Sequence, residues 1–139
     1  MASRRLSQLY DEALAPVGLN ATQYALLHQL DLRGETAPTL TELADAMAMD
    51  RSGLGHGLRP LEREGLIALA ENPDDRRRRH IVLTEKGRFL RRHAEAYWRK
   101  AEERFRGLMG AENADRLRAQ MAAIAFDDRL ASIASAGDA

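Results

Sequence analysis

The sequence predicts a mainly α-helical protein carrying one small β-hairpin, and three observations lead there. Apolar residues recur at spacings of three and four along six separate stretches, the mark of amphipathic helices. Two short segments, LIALAE (66–71) and RHIVLT (79–84), read as strands on either side of the turn-forming Asn72, Pro73, Asp74 and Asp75. Charge is unevenly spread although 21 Lys/Arg balance 21 Asp/Glu. Residues 1–50 carry three basic and seven acidic side chains, residues 51–110 fifteen and nine, and residues 111–139 three and five. The centre is therefore basic and both ends acidic, a distribution that suits a central surface for a polyanion.

The first helix is marked by Leu6, Leu9, Tyr10, Ala13, Leu14 and Val17, and "PVG" at 16–18 breaks it. Asn20 with Gln23 three residues later forms a capping-box pattern. The helix it opens runs through Tyr24, Leu26, Leu27 and Leu30 and ends before "RGETAP". Thr41 is expected to cap a short third helix, ELADAMA, with Leu43, Ala44 and Met47 on one face. After the link "MAMD", Asp50 stands where an N-cap belongs, and a fourth helix begins at Arg51 with Leu54, Leu58 and Leu61 as its buried stripe. Gly65 closes that helix as a C′ residue. The hairpin follows, with Ile81 and Leu83 on one face and Arg76 to Arg79 at its tip and return edge. Thr84 is expected to cap a long fifth helix from Glu85, whose stripe is Leu90, Ala94, Tyr97, Ala101, Phe105 and Leu108. Gly110 interrupts. A sixth helix carries Leu117, Met121, Ile124 and Ala125 and is expected to continue toward Ile133.

A chain of 139 residues suits one domain, or one that completes its core by pairing. It is 45% hydrophobic and 30% charged, with no apolar run of membrane-spanning length and no secretory pattern at its start. A cytoplasmic location is the expectation. The absence of cysteine excludes disulfides, cysteine-based zinc sites and thiol sensing.

Helix, helix, short helix, tight link, helix, β-hairpin is the order of a winged helix-turn-helix, with the hairpin as the wing. At this point the chain resembles the MarR family of bacterial transcription regulators. The resemblance rests on "TLTELADAMAMDRSGLGHGLRPLEREGLI" followed by "NPDDRRRRHIVLTEKGR", above all on "LEREGLI" (61–67), "DRR" (75–77) and "LTEKG" (83–87). "LYDEALAPVGLNATQYALL" (9–27) fits the family's first two helices. It implies a single domain, with a DNA-binding lobe at about 20–87 and a dimerisation region from 1–19 and 88–139. It implies a homodimer that binds double-stranded DNA at a pseudo-palindromic operator, most often as a ligand-responsive repressor.

On a wheel of about 100° per residue, Ser52, His56, Arg59 and Arg63 lie opposite the Leu54–Leu58–Leu61 stripe. Ser52, His56 and Arg59 are donor-rich side chains of the kind that reach base edges and phosphates in a major groove. Arg51, in the first turn, suits a phosphate. Arg63 either joins them or pairs with a nearby Glu. Thr41 is a further phosphate candidate. The resemblance assigns the wing's Asp-x-Arg element to Asp75 and Arg77. Arg77 is then the minor-groove arginine and Asp75 its orienting partner, while Arg76, Arg78 and Arg79 contact phosphates or pair with Asp74 and Glu71. Gly53, Gly55 and Gly57 depart from the family's usual recognition helix, whereas a proline where Pro60 stands is familiar in one branch of the family. Either the backbone approaches DNA closely, or specificity is weaker than usual. A partly frayed helix that tightens on DNA would fit both.

No Gly-rich phosphate loop, nucleophile elbow or paired-histidine metal spacing is present, so the reading is of a non-enzyme without a cofactor. Family members commonly sense small aromatic or phenolic anions. By that analogy Tyr10, Tyr24, His28, His93 and Tyr97 are candidates to line an effector cleft. The competing reading is a winged-helix protein-interaction module or a sequence-tolerant architectural DNA binder.

Overall fold

The computed structural model describes residues 2–72 and 75–125, and the side chains of residues 2–3, 72–78 and 124–125 lie outside the described set. Helices α1 (Ala2–Leu14), α2 (Ala21–Leu32), α3 (Leu40–Met47) and α4 (Arg51–Arg63) precede strands β1 (Ile67–Asn72) and β2 (Asp75–Leu83). Helices α5 (Glu85–Met109) and α6 (Ala111–Ala125) follow. A single 3₁₀ turn, Ala15–Val17, separates α1 from α2, with Pro16 inside it and Gly18 at φ 76° closing it. The chain divides into two compact units, residues 1–102 and residues 103–139.

The first unit is built on a leucine-rich core. Leu14, Leu26, Leu27, Leu43 and Leu54 are completely buried, and Leu61, Leu66 and Ile81 almost so. At about 25 cal/mol per Å² of apolar surface removed from water, each such leucine contributes on the order of 1.5–3 kcal/mol. The helix ends are tied as the sequence requires. Asn20 accepts from Gln23 N at 2.8 Å and Gln23 Oε1 accepts from Asn20 N at 2.9 Å, a complete capping box. Asp11 Oδ1 accepts from Ala21 N at 2.7 Å, which ties α1 to the start of α2.

Strands β1 and β2 pair antiparallel, Ile67 opposite Leu83 and Leu69 opposite Ile81. Ile81 N donates to Pro38 O at 2.8 Å and Thr39 bridges His80, so the segment before α3 serves as a short third edge to the hairpin. β2 begins four residues earlier than the sequence suggests, at Asp75 rather than Arg79. Long arginine side chains are at home on an edge strand, and the polar run does not stop the pairing. The register shifts between Glu71 and Asn72, where the partner changes from Arg79 to Asp75, an irregularity of the bulge type. Arg76 to Arg79 are thus strand residues on the return edge of the wing; Pro73 and Asp74 lie outside the described residues.

Thr84 caps α5 as expected: its hydroxyl oxygen accepts from Gly87 N at 3.0 Å, and the hydroxyl lies 2.7 Å from Gly65 O and 3.0 Å from Leu66 O. The expected α5 stripe needs correction. Ala94, Ala101 and Phe105 are buried and Leu90 and Tyr97 pack against the core, but Trp98 packs there as well and Leu108 is 77% exposed. In the second unit Phe105 and Ala114 are buried, Arg106 pairs with Asp115 at 2.5 Å, and Gly110 takes φ 83° between α5 and α6. The expected extension of α6 toward Ile133 lies outside the described residues.

Candidate nucleic-acid interface

Two helices and the wing form the site, and the caps set its geometry. The N-cap of α3 is Thr39, not Thr41. Thr39 Oγ accepts from Glu42 N at 3.2 Å while Glu42 Oε1 accepts from Thr39 N at 3.3 Å. Thr39 wins because Glu42 sits three residues beyond it, completing a capping box that Thr41 cannot make. Thr41 is left exposed in the first turn. The Thr39 hydroxyl and backbone N–H, with Arg33 at 3.7 Å, hold the Glu42 carboxyl below its ordinary range.

Helix α3 ends at Ala48, which takes the left-handed conformation at φ 52°. Met49 N donates back to Ala44 O at 2.9 Å, so the link to α4 is a tight, hydrogen-bonded reversal. Asp50 then caps α4, accepting from Gly53 N at 2.9 Å. Leu54, Leu58 and Leu61 are buried, which turns the opposite face outward. Arg51, Ser52, His56, Arg59 and Arg63 are all exposed on it, as the wheel predicts. The helix runs unbroken through Pro60, although proline lacks the N–H that would bond the His56 carbonyl.

The outward face divides into two stripes. Ser52, His56 and Arg63 form one. Arg51, Gly55, Arg59 and Glu62 form the other, and it lines a groove of about 770 Å³. The groove is completed by the start of α3 (Thr39 to Glu42) and by Leu69, Arg79 and Ile81 of the wing. Three arginines therefore surround an apolar floor of Leu40, Leu58, Leu69 and Ile81. His80 lies beside it, with Nδ1 3.0 Å from Ala37 O, which makes Nδ1 the donor and leaves Nε2 as the other ring nitrogen. The side chains of Asp75, Arg76, Arg77 and Arg78 lie outside the described residues, whereas Arg79 is exposed at the groove.

The aromatic residues sort into two rows. Tyr10 and Tyr24 both pack near Trp98, at 6.3 and 5.7 Å between ring centroids, and His28 stacks on Tyr24 at 6.0 Å. His93 belongs to a separate row along α5 with Phe89 and Tyr97, at 6.3 and 5.9 Å. The sequence reading missed Trp98. Its signal was the spacing Arg91–Ala94–Trp98–Ala101–Phe105, a strict 3-4-3-4 stripe. Burial pushes the Tyr24 phenol up, an effect that a hydrogen bond from Arg91 opposes. Arg91 is nearly buried, and its Nε lies 2.5 Å from Asp31 Oδ2 on α2, an ion pair rather than an aligned hydrogen bond. Arg88 adds a second cation, 3.5 Å from Asp31 Oδ1.

Among the described residues no cluster of His, Asp and Glu is gathered to hold a metal ion, and no helix is long and apolar enough to cross a membrane. A family model described as MarR family matches residues 17–78, which span α2, the helix-turn-helix and the start of the wing. The chain is similar to the transcriptional repressor CouR bound to a 23-mer DNA duplex, with 31% identity over 89% of this chain and 87% of that one and a TM-score of 0.79. It is similar to the Mycobacterium tuberculosis transcriptional regulator MosR in complex with DNA, with 32% identity, the same coverage and a TM-score of 0.79. CouR from Rhodococcus jostii RHA1 bound to p-coumaroyl-CoA is 26% identical over 90% of this chain and 86% of that one, with a TM-score of 0.76. No curated protein sequence matches the chain.

Proposed function

The chain belongs to the MarR family of transcription regulators, and from that premise we propose that it acts as a homodimeric, ligand-responsive repressor in the cytoplasm, each subunit reading half of a pseudo-palindromic operator. The observation that carries the reading is the outward face of α4. Its buried leucine stripe turns Arg51, Ser52, His56 and Arg59 to solvent beside Arg79 of the wing. Ser52 and His56 are the base-reading side chains, and Arg51, Arg59, Arg79 and Thr41 contact phosphates. Arg77 enters the minor groove with Asp75 orienting it, and Arg76 and Arg78 meet flanking phosphates. Residues 20–87 form the DNA-binding lobe, and residues 1–19 and 88–139 the dimerisation region. Exposed Leu108, Met109 and Met121 support that assignment, because a second copy would cover them.

The effector is a small aromatic anion, a reading supported by the relative that binds p-coumaroyl-CoA and by the row Tyr10, Trp98, Tyr24 and His28. Arg91 supplies a cation next to that row. Effector binding lowers operator affinity only to the extent that it prefers one dimer state over the other.

The test is selection of genomic fragments by the purified protein at physiological salt, with Arg77→Ala in parallel. One enriched inverted repeat, bound at least about 10³-fold better than unrelated DNA and weakened in the variant, is the expected result. Unrelated fragments bound equally well would favour the sequence-tolerant architectural binder that three glycines on α4 allow, and no DNA binding with no salt slope would favour a protein-interaction module.

A further inference from the structure

We propose that Gly55 is a specificity-determining position at which the α4 backbone itself meets a base pair, seating the 5-methyl group of a thymine against its Cα. The inference rests on the operator-binding reading above and assigns it one contact.

The three glycines of α4 answer to different neighbours. A Cβ at Gly53 would stand 2.5 Å from Asp50 Oδ1, so that glycine protects the cap. A Cβ at Gly57 would meet Leu26 Cδ1 at 3.8 Å, ordinary packing against α2. A Cβ at Gly55 would meet nothing within 4 Å. Its φ is not positive either, so nothing among the described residues asks for glycine there. Glycine weakens a helix interior relative to alanine. A surface from outside the chain that approaches the helix closely would supply that demand.

The surroundings indicate what that is. Gly55 lines the groove between Arg51 and Arg59, one turn to either side, roughly 6 Å along the axis each way. Two guanidinium groups that reach out to phosphates would bring the bare backbone between them down onto base edges. The groove beside Gly55 is floored by Leu40, Leu58 and Leu69, which offer neither donor nor acceptor side-chain atoms. Apolar contact is how the thymine methyl group is read in the major groove.

The experiment compares wild type and Gly55→Ala on the selected operator, on unrelated DNA and in thermal unfolding. It adds a series of operators in which each thymine in turn is replaced by uracil, which lacks the methyl. The alanine variant is expected to melt at the same or a higher temperature yet bind the operator about tenfold more weakly, with affinity for unrelated DNA unchanged. One half-site position should show a roughly fourfold loss for wild type on removal of the methyl, and no loss for the variant. Equal or tighter operator binding by the variant, or the same uracil profile in both proteins, would overturn the inference and leave the regulator reading intact. A wild type that selects no sequence would overturn both.

Discussion

Gly87 should tolerate no side chain, and the junction of wing and long helix is where this can be measured. A Cβ at Gly87 would overlap the Leu66 carbonyl oxygen and approach Leu83 Cδ1 at 2.8 Å. The first of these is backbone and cannot swing aside. That same carbonyl accepts from Thr84 N at 3.2 Å and lies 3.0 Å from the Thr84 hydroxyl, while Thr84 Oγ caps Gly87 N. Moving α5 off β1 to make room therefore loosens the cap and its anchors together. Forced overpacking costs about 1–3 kcal/mol and loss of the cap about 1 kcal/mol. Alanine returns about 1 kcal/mol of helix propensity. The net for Gly87→Ala is a loss of about 2 kcal/mol. At this chain length that lowers the melting temperature by roughly 6–10 °C. Circular dichroism melts at one fixed protomer concentration would read it. Gly55→Ala is the comparison, since a Cβ there meets nothing within 4 Å, and it should melt no lower than wild type. Equal melting of Gly87→Ala and wild type would refute the close approach.

Three further outcomes follow from the same geometry. Asp50→Ala removes the acceptor for Gly53 N and should destabilise by about 1 kcal/mol, whereas Asp50→Asn should retain most of the cap; urea midpoints distinguish them, and equal midpoints for all three would remove the cap from the account. The carboxyls of Glu42 and Asp115 are held below their ordinary range, by the Thr39 hydroxyl and by Arg106 respectively. Their contribution to stability is complete above the unfolded carboxylate pKa and is lost as pH falls through the lower folded value, so Thr39→Ala should flatten the acid side of a stability-versus-pH curve. An unchanged slope would count against the Thr39–Glu42 box. Arg79→Ala removes one phosphate contact from each half-site, so it should weaken DNA binding about equally on all sequences and reduce the dimer's salt slope by about 2, and an unaltered slope would take Arg79 off the phosphates.

Most of the architecture was legible because its signals are local. Asn20 with Gln23, Asp50 before Arg51, and Thr84 before Glu85 each announce a helix start through groups within one turn, and all three caps form. The cap of α3, expected at Thr41, stands at Thr39 instead, and the three-residue offset from Thr39 to Glu42 is the local signal that would have found it. The exposure of Arg51, Ser52, His56 and Arg59 was legible from the leucine stripe alone, since burial of one helix face fixes the other. What sequence spacing does not encode is neighbourhood across elements. Trp98 between Tyr10 and Tyr24, Arg91 on Asp31, and the separate environments of Gly53, Gly55 and Gly57 all depend on which helix lies opposite.

That neighbourhood gives α2 a particular position. Tyr24 on one side of it packs on Trp98 of α5, and Asp31 near its end pairs with Arg88 and Arg91 of the same helix. Leu26, completely buried, lies under α4 at Gly57. A molecule that inserted among Tyr10, Trp98 and Tyr24 would thus press on a helix that also supports the recognition helix. For this to release DNA a hundredfold, the effector must prefer the DNA-free arrangement by about 2.7 kcal/mol, within the usual range for coupled sites. A shift of α2 against Arg91 would supply a differential interaction of the right kind, because it would exchange the partly buried ion pair with Asp31 for an anionic group of the ligand on the same guanidinium. The coupling then has a chemical signature. Arg91→Lys keeps the charge but loses the planar fork, so it should weaken effector response more than operator affinity. Equal losses in both would mean that Arg91 merely holds the fold.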